Sequence, residues 1–418
     1  MGDIGIFIYQ QVYTFYGVAV VLSTYGFPVI ISKIIAEYPE KDRRIASEKI
    51  GMLSLFILSI IGIIAFLLIF INGNSIANFM GDSNLAGLIK ISAFSFLLLP
   101  LVSVLRGVFQ GENNMVPTAV SQIVEQSVRV GLIIFFAYYL LLQGKSLYEI
   151  GSGAIAASVV GSFIAILILA FFYIRRGTTS RPQVKPTIKS RLIIKKLLTQ
   201  GITICISSLL LILLSMVDAF TIYRGLILAG FEEEVAKSLK GVFDRGQPFI
   251  QLGTVVATSF SLSLVPSITM ALVDKENKDI EEKIHLSLRV SILIGMGAAA
   301  GLATLIKPIN TMLFTDDNQS FVLMILSISI LFSSITLTGA AILQGLNHPY
   351  IPAVFVSIGI VSKLILNELL LPRYHILGAA IATVISLGVV AYLTLLFLKR
   401  IVQVPIFGKD YSWIVFKS

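Results

Sequence analysis

The sequence predicts an all-α, polytopic membrane protein of about eleven transmembrane helices, arranged as two pseudo-symmetric helical lobes. Three observations support this. Hydrophobic residues make up 56% of the 418 positions against 13% charged, with a mean hydropathy of +0.91. Apolar runs recur at the length of a bilayer crossing, and a short motif recurs six spans apart. A soluble chain of this length has no way to hide so much apolar surface, so lipid is its solvent.

About 20 apolar residues cross the hydrocarbon as a helix. Runs of that kind fall at 6–37, 46–72, 84–110, 116–142, 150–174, 192–224, 246–273, 283–306, 319–345, 351–372 and 376–399. Met52–Ile71 holds no charge at all. Barrel strands would instead show short alternating segments.

The net charge of +9 is distributed as in a membrane protein rather than a nucleic-acid binder. Loops after odd-numbered spans carry Lys41, Arg43, Arg44 and Lys49, then Arg106, the basic run from Arg175 to Lys196, Lys275, Lys278 and Lys283; the tail adds Lys399, Arg400, Lys409 and Lys417. The opposite loops hold Lys145, Lys237, Lys240, Lys307 and Arg373. Positive-inside asymmetry makes the C-terminus cytoplasmic and the N-terminus external. Asp3 follows Met1 with no basic n-region, so nothing there reads as an export signal. A helix ahead of residue 1 would explain an external start.

The motif Gln110-Gly111-Glu112-Asn113, with Pro117 opening the next span, returns as Gln344-Gly345-Leu346-Asn347 with Pro352. The stretch Ser23 to Pro28 is echoed by Ser261 to Pro266. Both echoes are six spans apart, so the copies share one orientation, as expected of two bundles related by an axis along the membrane normal. Locally, Gly and Asn tolerate tight turns and Pro pre-sets a first helical turn, but the recurrence requires duplication. The organisation is then an N-terminal lobe at 1–176, a basic linker at 177–190, a C-terminal lobe at 191–400 and a tail at 401–418. Gly111, Pro117, Gly345, Pro352, Pro28 and Pro266 are the candidate hinge and turn positions.

Ionisable groups inside a membrane are costly and usually face a partner or water. Glu125 and Arg129 stand at i and i+4 on one face of span 4, in the favourable acid-first order. Lys363 lies at a similar place in span 10, with Asn367 and Glu368 one turn on. Asp218 and Arg224 fall late in span 6, and Asp244 and Arg245 precede span 7. These seven (Glu125, Arg129, Asp218, Arg224, Asp244, Arg245, Lys363) are the candidate substrate-binding residues, since cations around a cavity suit an anionic cargo. The plainer alternative for Glu125 and Arg129 is a neutralised pair fastening two helices.

Other chemistry finds no motif. No phosphate-loop pattern is present, the three histidines have no zinc spacing, and lone Cys205 excludes a disulfide framework. Gly297-Ala-Ala-Ala-Gly301 reads as a small-residue packing stripe.

The stretch Gly107-Val-Phe-Gln-Gly-Glu-Asn-Asn-Met-Val-Pro-Thr-Ala-Val-Ser-Gln-Ile-Val-Glu-Gln-Ser-Val-Arg129 resembles the signature of the SpoVB/YtgP/MurJ group of polysaccharide-biosynthesis flippases. So do Phe27-Pro-Val-Ile-Ile-Ser-Lys-Ile-Ile-Ala-Glu-Tyr38 and Phe243-Asp-Arg-Gly-Gln-Pro248. The resemblance runs from about residue 2 to 400. It implies the multidrug/oligosaccharidyl-lipid/polysaccharide exporter fold, two six-helix lobes forming a V around a cavity. It also implies carriage of lipid II or another undecaprenyl-linked glycan by alternating access. The cavity Asp-Arg pair of MurJ-type proteins falls by motif on Asp244 and Arg245. Members of the group begin with a helix carrying cavity arginines, absent here, and continue for two helices beyond the position of Lys399.

The expected function is therefore a plasma-membrane flippase, not an enzyme, for an undecaprenyl-pyrophosphate-linked saccharide. It needs no cofactor or metal, with coupling to membrane potential or a monovalent ion. Its partners are the lipid-linked anionic glycan and membrane lipid, without nucleic acid, and it acts as a monomer alongside cell-wall synthesis enzymes. The rival within the same fold is a cation-coupled multidrug exporter in which Asp218 or Glu125 carries the ion. A membrane-embedded glycan polymerase or acyltransferase would need a catalytic cleft and large external loops that the sequence does not display.

Overall fold

The computed structural model describes residues 2–176, 190–255, 259 and 277–402, and no strand occurs among them. The chain opens with α1 (Gly2–Val21), a π-helical turn (Leu22–Gly26) and α2 (Phe27–Ala36), one continuous apolar run of 35 residues. Then come α3 (Glu40–Ile71), α4 (Gly73–Met80), α5 (Ala86–Gly111), α6 (Val116–Leu142) and α7 (Leu147–Arg175). After them follow α8 (Ser190–Lys196), a second π-helical turn (Leu197–Gly201), α9 (Ile202–Ser208), α10 (Leu210–Leu228) and α11 (Glu233–Asp244). The last helices are α12 (Asn277–Phe314), α13 (Ser320–Ser327), α14 (Ser329–Gly345) and α15 (Tyr350–Val402).

Among the described residues, nine helical runs are long and apolar enough to cross a bilayer, against eleven expected. Part of the difference lies in α15. His375 breaks that helix with φ 52° and ψ −135°, and the chain reverses there. Lys363 Nζ donates to Thr383 Oγ1 at 2.9 Å, and the Phe355 and Phe397 rings are 6.0 Å apart. A methyl group on Gly378 would lie 2.5 Å from the Leu370 carbonyl oxygen. Residues eight apart in a straight helix are separated by about 12 Å. The run is thus an antiparallel hairpin matching the expected segments 351–372 and 376–399. The expected segment 246–273 is described only through residue 255 and at 259, with 246–255 helical. Pro266, in its echo motif, lies outside the described residues, as does the expected linker apart from Ser190.

Packing divides the chain into two units. One comprises Met1–Arg245 with Leu364–Ala379, the tip of the hairpin; the other comprises Gly246–Lys363 with Ala380–Ser418. The first unit is built around α5, which is flanked by α1, α2, α3 and α7. Gly107 and Gly111, one turn apart on α5, let α2 come close: a methyl group on either would sit 2.7 Å from the Cβ of Ile31 or Ile35. Gly62 of α3 does the same against the Phe96 carbonyl, at 2.4 Å. Small residues that admit a neighbouring backbone are how membrane helices associate where lipid gives no hydrophobic drive. The stripe expected at Gly297 and Gly301 does not work this way; nothing among the described residues lies within 4 Å of a methyl group placed there. On the other side, α3 presents Phe56, Ile60, Ile64 and Leu68 outward, as a lipid-facing helix must.

The recurring motif has one backbone in both copies. Asn113 and Asn347 take left-handed φ of 61° and 64°. Asn113 N–H donates to Gln110 O at 3.1 Å and Asn114 N–H to Phe109 O at 2.9 Å. The second copy repeats this, Asn347 to Gln344 at 3.2 Å and His348 to Leu343 at 2.8 Å. This is a Schellman cap with asparagine in the left-handed position. Gly111 and Gly345 are instead the last residues of α5 and α14, both buried. The turn residue is the asparagine, and Gly111 serves helix contact. Pro117 lies in the first turn of α6 and Pro352 in that of α15. Pro28 opens α2 directly after the π-helical turn, within a continuous span rather than at its end.

Candidate functional site

Inside the first unit, four polar groups sit at membrane depth or just outside it. The first is organised by Arg106, 1% exposed near the end of α5. Its Nη2 donates to Glu125 Oε2 at 2.7 Å, its Nη1 to Thr24 Oγ1 at 2.9 Å and its Nε to Ser121 Oγ at 3.4 Å. The second Glu125 oxygen accepts from Ser162 Oγ of α7 at 3.0 Å. One guanidinium therefore ties α5 to α6 and to the π-helical turn of the first span. Removing either member of such a buried pair costs about 3–5 kcal/mol, because the other charge is left stranded.

That arrangement corrects the pairing read from spacing. Glu125 is taken by Arg106, not by Arg129 at i+4. Arg129, midway along α6, is half-buried with its Cζ 5.9 Å from the Tyr16 ring centroid. Tyr9, Tyr13 and Tyr16 of α1 all lie within electrostatic reach of it, Tyr9 stacked on Tyr13 at 5.6 Å and Tyr13 tilted against Tyr16 at 5.9 Å. Its Nε meets no acceptor, and no carboxylate of the described residues pairs with it.

The second group joins α10 to the hairpin tip. Asp218, 1% exposed, accepts from Asn367 Nδ2 at 3.2 Å, and the same amide donates to Thr221 Oγ1 at 2.8 Å. Leu371 packs on Gly225 and the His375 ring stands edge-on to Phe231 at 4.7 Å, so the contact recurs along one face of the tip. Lys363, fully buried, belongs to the other unit with Thr383. Arg224 is exposed and rests over the Phe79 ring at 5.4 Å, so it is not among the enclosed cations.

The third and fourth groups dock α11. Asp244 and Arg245 are both 2% exposed: Lys240 binds Asp244 within α11, and Arg245 donates to Asp3 Oδ1 of α1, from Nε at 3.0 Å and also from Nη2. Gly241 makes this approach possible, since a methyl group there would meet the Asp3 carbonyl oxygen at 2.0 Å. Lys237 binds Asp82 at 3.3 Å, Tyr148 Oη at 2.9 Å and Glu233. Burial disfavours the Lys237 ammonium, but the Glu233 and Tyr148 hydrogen bonds and the Asp82 charge outweigh it and hold its pKa above the ordinary lysine value.

Of the seven candidate substrate-binding residues, Glu125, Asp218, Asp244, Arg245 and Lys363 are buried, Arg129 is half-buried and Arg224 is exposed. The sequence reading missed Arg106 and Asp3, and took Lys237 and Lys240 for loop cations. The signal available for Arg106 was its position more than one turn inside the end of α5. Among the described residues no cluster of three or more His, Cys, Asp or Glu could hold a metal ion.

The described residues thus form a multi-pass, all-helical membrane protein with charged groups tied between its helices. A solved inward-facing multidrug resistance transporter of the MATE family and MOP superfamily shares the fold. It superposes with a TM-score of 0.73 at 15% identity, covering 96% of this chain and 91% of its own. The polysaccharide biosynthesis protein family matches residues 1–272, and the chain belongs to that family. It is 45% identical over 418 residues to the uncharacterized membrane protein YabM of Bacillus subtilis, covering 98% of this chain and 78% of YabM. It is 27% identical to the lipid II flippase MurJ of the same organism, over 94% of this chain and 76% of MurJ. MurJ is named as a flippase and the superposed structure as a transporter; this chain is a membrane transporter of the polysaccharide biosynthesis family, not an enzyme.

Proposed function

We propose that the chain is a flippase that carries an undecaprenyl-pyrophosphate-linked saccharide, lipid II or a polysaccharide repeat unit, across the plasma membrane by alternating access. The observation that carries this is Arg129. A guanidinium without a carboxylate partner, mid-span and beside three tyrosines, is the chemistry that receives a phosphate group next to a sugar. The lipid II activity of MurJ supports the same cargo.

Asp218 is the coupling group in this reading. The basic loops put the C-terminus in the cytoplasm and the N-terminus outside. The protein works as a monomer alongside cell-wall synthesis enzymes.

The test is the full chain reconstituted into vesicles with fluorescent lipid II, read as the rate at which label becomes protected from an external reductant. Translocation is expected from the unmodified chain. Arg129→Ala is expected to lower the rate about 10- to 100-fold, the value of roughly 1.5–3 kcal/mol for a hydrogen bond to a charged group. Proton- or sodium-driven uptake of organic cations with no movement of lipid II would overturn the proposal in favour of a multidrug exporter.

A further inference from the structure

Arg129 is available to an anion only because Glu125 is not. The two stand one helical turn apart on the same face of α6, where a carboxylate and a guanidinium ordinarily pair. Their shared face is fixed by α7: a methyl group on Gly161 would lie 3.1 Å from Glu125 O and 3.2 Å from Arg129 Cβ. Yet both Glu125 oxygens are engaged elsewhere, by Arg106 and by Ser162. Arg106 is committed in turn, with all three of its nitrogens bonded and its side chain 1% exposed.

We infer that Arg106 is a positioning residue: by occupying the Glu125 carboxylate it keeps that group off Arg129, leaving the Arg129 guanidinium charged and open to a pyrophosphate-bearing lipid. This rests on the cargo reading above and adds a residue that sets its selectivity for anions. Without Arg106, Glu125 would be a buried carboxylate supported by one serine, a costly state. The cheapest relief is rotation toward the cation one turn away. Arg129 would then be neutralised from within, and an anionic cargo would have to compete with a tethered carboxylate.

The consequence is a reversal that a purely structural staple would not show. Binding of undecaprenyl pyrophosphate to the full chain in nanodiscs is measured for the unmodified protein, Arg106→Gln and the double variant R106Q/E125Q, with the uncharged alcohol undecaprenol as the parallel probe. Arg106→Gln is expected to weaken pyrophosphate binding about tenfold or more and to leave undecaprenol binding unchanged. The double variant removes the competing carboxylate and is expected to return within about threefold of the unmodified chain.

Loss of affinity in both variants, or equal loss for the pyrophosphate and the alcohol, overturns the inference while leaving the cargo reading intact. No pyrophosphate binding by the unmodified chain overturns the cargo reading and this inference with it. If Arg106→Gln does not fold, the double variant, which strands no buried charge, decides alone: a tenfold loss there refutes the inference.

Discussion

Gly107 and Gly111 are contact surfaces before they are anything else. Alanine at either position drives a methyl group to 2.7 Å from the Cβ of Ile31 or Ile35, atoms fixed to the α2 backbone and unable to swing away. Each substitution is expected to destabilise the protein by about 1–3 kcal/mol, read as a lower thermal midpoint in detergent, whereas Asn113→Gly, which keeps left-handed φ accessible, should leave that midpoint within experimental scatter. The signature stretch is visible in the sequence, where Gly111 reads as a turn position. Spacing alone does not distinguish a glycine that bends a chain from one that admits a neighbour, because that depends on what another helix places opposite. The same limit explains Glu125. Its spacing to Arg129 is a local fact, but its partner, Arg106, arrives from α5 with better burial and three hydrogen bonds, and tertiary packing decides the pair.

At the scale of elements, the spans were legible because hydropathy is a property of composition, which survives any rearrangement of partners. The two π-helical turns were not. A π-helical turn inserts one residue and leaves the apolar run unbroken, so periodicity reads it as more helix. Leu22–Gly26 is anchored from several sides: Arg106 Nη1 donates to Thr24, Ser208 Oγ donates to the Tyr25 carbonyl at 3.3 Å, and Gly26 faces Cys205. A methyl group on Gly26 would approach Cys205 Sγ to 2.7 Å. Gly26→Ala is therefore expected to cost on the order of 1–3 kcal/mol. Since the obstructing atom is the cysteine sulfur, Cys205→Ala in the same chain should recover most of the loss. Additive destabilisation in that double-mutant cycle would show that the strain lies in the backbone of the turn instead.

For the molecule as a whole, the family and the multi-span architecture could be read from residues 27–38, 107–129 and 243–248. The division of labour could not. Asp244 and Arg245 resemble a cavity pair by motif; in this structure Arg245 also ties the end of α11 to Asp3 of α1, and Asp244 pairs with Lys240 within α11, at the boundary of the first unit. The hairpin tip likewise packs with α10 while its stems belong to the other unit. If transport requires the tip to part from α10, tethering it should halt the cycle. The Gly225 and Leu371 positions suit a disulfide, with a Cβ separation of 3.6 Å. In a Cys205→Ala background, the G225C/L371C pair is expected to cross-link under mild oxidation, stop lipid II translocation, and regain it on reduction. Full cross-linking with undiminished transport would show that the tip and α10 travel together throughout.

His375 gives that hairpin a mechanical character. One residue reverses the chain, and Gly378 presses against the Leu370 carbonyl, so the stems have no slack between them. A connection of several residues would let one stem rise or twist while the other stood still. With this one, any axial shove on either stem is handed to its twin at full amplitude. The pair behaves as a stiff lever gripped at its tip by α10.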